Sequence, residues 1–306
     1  MQNLALPKPL QAGDRVDLVA ASSCLEGQGA IERLEAGIAI LESWGLLVER
    51  RPLRSWGYLA GRDDERASDL KIPSANGASL LACIRGGWGS ARLLEQPLDL
   101  PQAWLLGFSD VTSLLWAQLA QQGRGAIHGP LLTTLAAEPS WSQERLRRLL
   151  FGEPLEDLQG QGWRGGCAAG PLLVANLTVA THLLGTAHLP ELRGAILVLE
   201  DVGEAPYRID RMLTHWRLTG ALQQLAGMGL GSFRGCDGEG DSDGAAVSSF
   251  SLEEVLRERT ADLAIPVVAG LKVGHGDANA ALPLGVRAVL DGDRGLLQLP
   301  DFQQHP

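Results

Sequence analysis

Ser109, in Gly107-Phe-Ser109-Asp-Val-Thr, joins an apolar strand directly to an amphipathic helical pattern. That places its hydroxyl on a tight turn at the carboxyl end of a strand and at a helix N-terminus, the edge of an α/β sheet where ligands bind. A serine raised there is a candidate nucleophile, with the amide of Asp110 free to face an oxyanion. The same residues also suit a plain helix cap by Ser109 or Asp110. Val111 takes the second glycine position of a G-x-S-x-G elbow, so the motif alone does not decide.

Arg85-Gly86-Gly87-Trp88-Gly89-Ser90 follows another apolar run, and its glycines let the backbone turn sharply and approach a ligand closely. Amides of Gly86 or Gly87 are candidates for a second oxyanion donor. A phosphate cradle fits poorly, because no Gly-Lys-Ser/Thr follows and the spacing is not G-x-G-x-x-G. Glu200 and Asp201 stand where the apolar run ending at Leu199 stops. A carboxylate there can orient a histidine, or it can simply face water or cap the next helix. Two histidines in glycine-flanked loops are candidate bases: His275, in Gly274-His275-Gly276, and His128, in Ile127-His-Gly-Pro130. His182, His188, His215 and His305 sit on helical patterns or near turns and termini and read as structural. Glu239, Asp241, Asp243 and Gly244 have EF-hand-like spacing, but Phe250 occupies the place of the bidentate Glu, so a solvated loop is the reading.

The elements that must position these residues follow from periodicity. A strand at Arg15 to Ala21 leads into a helix over Ile31, Leu34, Ile38 and Leu41, stopped by Gly45. Strands at Leu46 to Val48, Ser79 to Ile84 and Trp104 to Leu106 follow, with helices at Asp64 to Lys71 and Thr112 to Gln121. This alternation predicts a parallel sheet covered on both faces. After Glu138 the pattern loosens, and the Gly-rich stretch to Gly170 reads as an interdomain connection. Helices at Asn176 to Leu184 and Pro206 to Thr219 are predicted beyond it, with strands at Ala195 to Leu199, Met228 to Leu230 and Val267 to Ala269. Val286 to Leu290 and Gly295 to Leu299, divided by Asp291-Gly292-Asp293, read as a hairpin. The domain division expected is therefore 1–150, a connection at 151–175, and 176–306.

A chain of 306 residues, 45% hydrophobic and 20% charged, is globular in composition and long enough for two cores. A net charge of -10 argues against a nucleic-acid backbone as partner, since such binding needs Lys and Arg on phosphates. A small or peptidic substrate fits better. The N-terminal residues lack a signal-peptide pattern and no run nears the ~18 apolar residues of a membrane span, so a cytoplasmic protein without membrane contact is expected. Cys24, Cys83, Cys167 and Cys236 are far apart, with no metal-site spacing. They read as reduced, mostly buried thiols, and neither metal nor cofactor is expected.

Taken in order, RGGWGSARLL (Arg85 to Leu94), LLGFSDVTSLLWA (Leu105 to Ala117), AIHGP (Ala126 to Pro130), LVLEDVGEAPYRIDRML (Leu197 to Leu213) and GHGDANAALPLG (Gly274 to Gly285) resemble the LD-carboxypeptidase family, which includes the microcin C immunity peptidases. The resemblance runs from about Gly13 to Leu290. It implies an N-terminal flavodoxin-like parallel-sheet domain and a C-terminal swivelling β/β/α domain, with the active site between them in a usual homodimer. It further implies a Ser-Glu-His triad, carried here by Ser109, Glu200 and His275, and an oxyanion hole from Gly86 or Gly87 and Asp110. The implied activity is hydrolysis of the L-diamino acid–D-Ala bond of peptidoglycan tetrapeptides in cell-wall recycling. A microcin-immunity-like enzyme acting on peptidyl-aminoacyl nucleotides is the alternative, with Trp88 or Phe233 available to stack on a base. A catalytically silent binding protein of the same fold is a third. One departure is visible: relatives usually carry Gly-Gly-Asn-Leu where this chain has Val174-Ala175-Asn176-Leu177, which is expected to alter the loop after the connection.

Overall fold

The structure is a computed structural model that describes residues 4–98, 102–123, 125–237, 249–300 and 302. The first half runs β1 (Arg15–Val19), α1 (Gln28–Ser43), β2 (Leu47–Glu49), α2 (Asp63–Asn76), β3 (Leu80–Cys83), β4 (Trp104–Gly107), α3 (Thr112–Gln122), β5 (Ala126–His128), α4 (Leu132–Leu135) and α5 (Ser140–Leu150). The second half runs β6 (Leu158–Gln159), β7 (Gln161–Arg164), β8 (Cys167–Asn176), α6 (Leu177–Leu183), β9 (Ile196–Val202), α7 (Pro206–Leu218), β10 (Gly227–Arg234), α8 (Leu252–Thr260), β11 (Val267–Ala269), β12 (Leu282–Pro283), β13 (Arg287–Asp291) and β14 (Leu296–Gln298).

β1 to β5 are parallel and ordered 2-1-3-4-5, the flavodoxin-like arrangement. Helices cover both faces, so β3 and β4 are buried at every residue and read as unbroken apolar runs. α1 presents Leu34, Ile38 and Leu41 to this core and packs on α4. A Cβ at Gly37 would collide with the Leu132 carbonyl, so glycine permits that close helix contact.

The second sheet has eight strands in the order 6-14-13-8-9-10-11-7. β8 joins the antiparallel and the parallel parts of this sheet. Its first half, Cys167 to Pro171, pairs antiparallel with β13, and its second half, Leu172 to Asn176, pairs parallel with β9. β9, β10 and β11 continue the parallel part, and the expected hairpin is β13–β14. β6 and β7 are consecutive in sequence yet lie at opposite ends of the order, so the sheet curls round until its edges meet at Gly160, whose N–H donates to the Gly295 carbonyl at 2.8 Å.

Several features differ from the local reading. The stretch 151–175, expected as a connection, contains β6, β7 and most of β8. Its glycines mark tight approaches inside the sheet: a Cβ at Gly160, Gly162 or Gly170 would strike a backbone carbonyl of a neighbouring segment. Val174 and Ala175, expected in an altered loop, are buried in β8, and Asn176 caps α6 by accepting the Val179 N–H at 3.1 Å. α5 and α8 fall where no element was predicted, because their apolar stripes are interrupted by arginines and glutamates.

The two halves are tightly joined. β12, from the far end of the chain, pairs antiparallel with β5 at the edge of the first sheet. Trp116 on α3 and Trp216 on α7 are both fully buried, with ring centroids 6.4 Å apart. Their indole N–H groups are satisfied by Val174 O at 3.0 Å and Thr181 Oγ1 at 2.9 Å, as buried indoles require. Among the described residues no helix is long and apolar enough to cross a membrane.

Candidate active site

β4 ends at Gly107, where a Cβ would come 2.7 Å from Val111 Cγ1, so only glycine lets the chain fold back into the following turn. Ser109 begins that turn with φ +61°, the one non-glycine residue at positive φ among the described residues. Such a conformation costs ~1–3 kcal/mol and survives only where its surroundings over-determine it. They do so here. Buried Asp110 accepts the Ser90 N–H through Oδ2 at 2.9 Å, and its carbonyl accepts from Ser90 Oγ at 2.6 Å and Ser113 Oγ at 3.1 Å.

The glycine loop after β3 leans on the same turn. A Cβ at Gly86 would lie 3.1 Å from both Ser109 Oγ and Cβ, and 3.6 Å from the Asp110 amide nitrogen. Gly87, with φ +105°, instead presses on Ser23, whose Oγ accepts the Trp88 N–H at 3.1 Å. The two glycines are thus separated by direction: Gly86 faces the serine and Gly87 faces away. Arg66 of α2, which the sequence did not single out, holds this loop from behind. Its buried guanidinium donates to the carbonyls of Ala21 and Gly89 and pairs with Asp63, which also binds Arg92 at 2.6 Å. The two arginines hold the Asp63 carboxyl down at about 2, with the Arg92 hydrogen bond the larger cause.

β9 runs three residues beyond its expected end at Leu199, so Glu200 and Asp201 both lie in extended chain and point to opposite sides. Glu200 is fully buried, and its Oε2 lies 2.6 Å from His275 Nδ1 and accepts the His275 backbone N–H at 3.2 Å. Burial pushes the Glu200 carboxyl above its usual value, while the hydrogen bond from His275 acts in the opposite direction. Asp201 turns to α6 and accepts from Asn176 Nδ2, Thr178 N and Thr178 Oγ1 at 2.8–3.0 Å. Glu204 pairs with exposed Arg208 at 3.3 Å. At Gly274, φ +96°, a Cβ would collide with Glu200, so glycine is what allows the histidine loop to close on the carboxylate.

Phe108 connects the serine turn to the histidine. Its ring centroid is 4.6 Å from that of His275, which seats the imidazole beside the residue preceding Ser109. Among the described residues no hydrogen bond joins Ser109 to His275; the imidazole is anchored on its Glu200 side. His128 lies beyond Phe108, 5.7 Å from its ring, fully buried and without a hydrogen-bond partner on either nitrogen among the described residues. Burial, and then the neighbouring His275, holds its pKa down at about 3, so it is neutral at ordinary pH.

Of the aromatic residues named for stacking, Trp88 is exposed beside the glycine loop and Phe233 is buried. All four cysteines are free, and only Cys167 is exposed. Among the described residues no group of three His, Cys, Asp or Glu side chains is placed to hold a metal ion. The acidic run that contains Glu239, Asp241 and Asp243 lies outside the described residues.

The chain matches the LD-carboxypeptidase N-terminal domain over residues 16–129 and the LD-carboxypeptidase C-terminal domain over residues 169–290. A Synechocystis protein that carries a provisional carboxypeptidase name is 47% identical over 305 residues, covering 97% of each chain. The murein tetrapeptide carboxypeptidase of Pseudomonas aeruginosa is 35% identical over 311 residues, covering 92% of this chain and 94% of its own. Among solved structures, the muramoyltetrapeptide carboxypeptidase of Oxalobacter formigenes superposes with a TM-score of 0.79 at 26% identity, over 92% of this chain and 97% of its own. The microcin self-immunity protein MccF, solved with glutamyl sulfamoyl guanosine, gives 0.81 at 22% identity over 96% and 98%, a likeness of fold. With both domain models matched in order and the first sheet in flavodoxin-like order, the chain belongs to the LD-carboxypeptidase family of peptidases.

Proposed function

We propose that this protein is a serine-type LD-carboxypeptidase that releases terminal D-alanine from murein tetrapeptides, cutting at the L-centre of a diamino acid, with Ser109, His275 and Glu200 as its triad. The observation that carries the reading is one fully buried carboxylate oxygen holding both the ring and the backbone N–H of a histidine that packs beside a strained serine turn. His275 Nε2 takes the Ser109 Oγ proton as that oxygen adds to the scissile carbonyl, while Nδ1–H stays on Glu200, which fixes the tautomer and stabilises the imidazolium. The Asp110 amide and an amide of the Gly86-Gly87 pair receive the oxyanion, each donor lowering the barrier by ~3 kcal/mol. The amine of D-alanine leaves with the proton from His275. Water then attacks the acyl-enzyme with the same histidine as base, returning Ser109 and releasing a tripeptide.

Murein fragments are preferred to peptidyl nucleotides as substrates because the Pseudomonas murein enzyme is 35% identical, against 24% for the microcin self-immunity protein of Escherichia coli. In this reading the enzyme works in the cytoplasm on recycled fragments, as a homodimer. The test is to incubate it with a tetrapeptide ending in L-diamino acid–D-Ala, the all-L counterpart and a peptidyl adenylate, and to detect products by mass. D-Alanine release from the first alone is expected. Cleavage of the adenylate alone selects the microcin-type reading, and no cleavage of any selects a silent binding protein.

A further inference from the structure

The serine and the histidine of the proposed triad come from different sheets, so their alignment depends on what registers the loop carrying His275 against the first half of the chain. That loop runs from β11 to β12. Inside it, the Gly274 N–H donates to Asn279 Oδ1 at 2.9 Å and the Ala280 N–H to the Lys272 carbonyl at 2.8 Å, closing a compact lobe around the histidine. Asn279 is almost fully buried. Its backbone N–H donates at 2.8 Å to Oε2 of Glu138, which stands just before α5. The same Oε2 accepts from Ser142 Oγ at 2.9 Å, and Ser142 Oγ also lies 3.0 Å from the Asn279 carbonyl. Arg145 Nε donates at 3.0 Å to the carbonyl of Ala281, two residues beyond Asn279.

We infer that Glu138 and Asn279 are positioning residues for the reaction: Glu138 clamps the base of the histidine loop to the first half of the chain, and Asn279 passes that constraint to Gly274 and so to His275. The chain of contacts is short. Glu138 Oε2 holds Asn279, the Asn279 side chain holds the Gly274 amide, and Gly274 adjoins the histidine. The glycine directly before the histidine, at φ +96°, is therefore the residue whose N–H is fixed. A carboxylate oxygen accepting two donors is suited to this, because it sets the position of both a helix side chain and a loop amide at a single point. Displacing a reacting group by ~1 Å costs ~100-fold in rate without touching the substrate, which sets the size of the expected effect.

This inference rests on His275 being the base, and the experiment separates the two. Glu138→Ala removes both contacts, whereas Glu138→Gln keeps an oxygen that can accept both. Asn279→Ala removes the acceptor of Gly274, and Asn279→Asp restores one. Steady-state kinetics on the tetrapeptide are measured beside the proton spectrum of the His275 Nδ1–H, a strongly low-field signal for a 2.6 Å hydrogen bond to Glu200. Both alanine variants are expected to lose ~10–100-fold in kcat with KM within about twofold, and to broaden or lose the low-field signal. Glu138→Gln and Asn279→Asp are expected to recover most of both. Wild-type kcat and an unchanged signal in Glu138→Ala would overturn the inference, as would equal losses in Glu138→Ala and Glu138→Gln. Should Glu138→Ala fail to fold, the Asn279 pair decides by the same criteria. If His275→Ala turns over normally, the base assignment fails instead, while the spectral effect of Glu138→Ala still reports on the clamp.

Discussion

Glu200 Oε2 receives both the ring Nδ1 of His275, at 2.6 Å, and the backbone N–H of the same residue, at 3.2 Å. One oxygen therefore sets the ring orientation and the path of the loop together, which distinguishes Glu200 from the acidic residues beside it.

Glu200→Gln is expected to lower kcat by about 10³-fold or more with little change in KM, because a neutral amide cannot stabilise the imidazolium and favours the wrong tautomer. Asp201→Asn is expected to act on stability, since its carboxylate collects N–H and O–H donors from Asn176 and Thr178 at the start of α6. Glu204→Gln removes only a pair with exposed Arg208 and should leave kcat within about twofold. Kinetics and thermal melts on the three variants check this, and a larger kcat loss for Asp201→Asn than for Glu200→Gln would reassign the carboxylate.

At Ser109 stability and activity should move in opposite directions. Ser109→Ala is expected to abolish turnover with the fold intact. Ser109→Gly should also be inactive but more stable by about 0.5–1 kcal/mol, because glycine adopts φ +61° without the strain of a Cβ. Urea titration of both variants measures it, and an active Ser109→Ala would remove serine chemistry from consideration.

Gly86→Ala places a methyl group 3.1 Å from Ser109 Oγ, inside the space that the proposed mechanism gives to the substrate carbonyl. Its kcat/KM should fall ~100-fold or more at nearly unchanged stability. Gly87→Ala, strained by its φ of +105° and pressed on Ser23, should cost stability first. Comparing melting temperature with kcat/KM for the pair separates the two directions, and the reverse pattern would exchange their roles.

His128 should govern acid stability and leave the choice of base to His275. Its pKa is about 3 in the folded chain and near 6.5 when unfolded. Between those values the unfolded state holds the extra proton, so this residue's contribution is full above about pH 6.5 and is lost as pH falls, by up to about 1.4 kcal/mol per unit. His128→Leu is expected to flatten the dependence of unfolding free energy on pH between 7 and 5 while retaining measurable turnover. A dead His128→Leu beside an active His275→Ala would invert the assignment.

A serine mechanism requires no added ion, so prolonged EDTA treatment should leave turnover on the tetrapeptide unchanged. Loss of activity that zinc restores would refute the serine reading.

Local pattern accounts for a definite share of this protein. Strands such as Trp104 to Gly107 are buried on both faces, and helices such as Gln28 to Ser43 carry one apolar stripe, so each announces itself within a few residues. The segments that bear Ser109 and His275 are legible for a related reason, since a strand stops at Gly107 and glycines flank His275; Glu200 stands out instead as the first charged residue after an apolar run, although β9 continues to Val202. The choice between neighbours was partly legible too, since strand alternation already separates Glu200 from Asp201.

What the residues could not reveal locally is every feature made by distant segments meeting. β12 is two residues long and exists only because Ile127 and His128 offer it an open sheet edge. The glycines of 160–170 look like a linker until the carbonyls that crowd them are known. Glu138 resembles any solvated carboxylate until Asn279, 141 residues away, donates to it. Sequence alone determined the local elements with a clean apolar pattern and the chemistry their residue types can carry, because those depend on near neighbours in the chain. Only the tertiary structure decided which glycine faces the serine, that His128 is sealed behind Phe108, and how the histidine loop is held, because burial and hydrogen bonding between remote residues have no local signature.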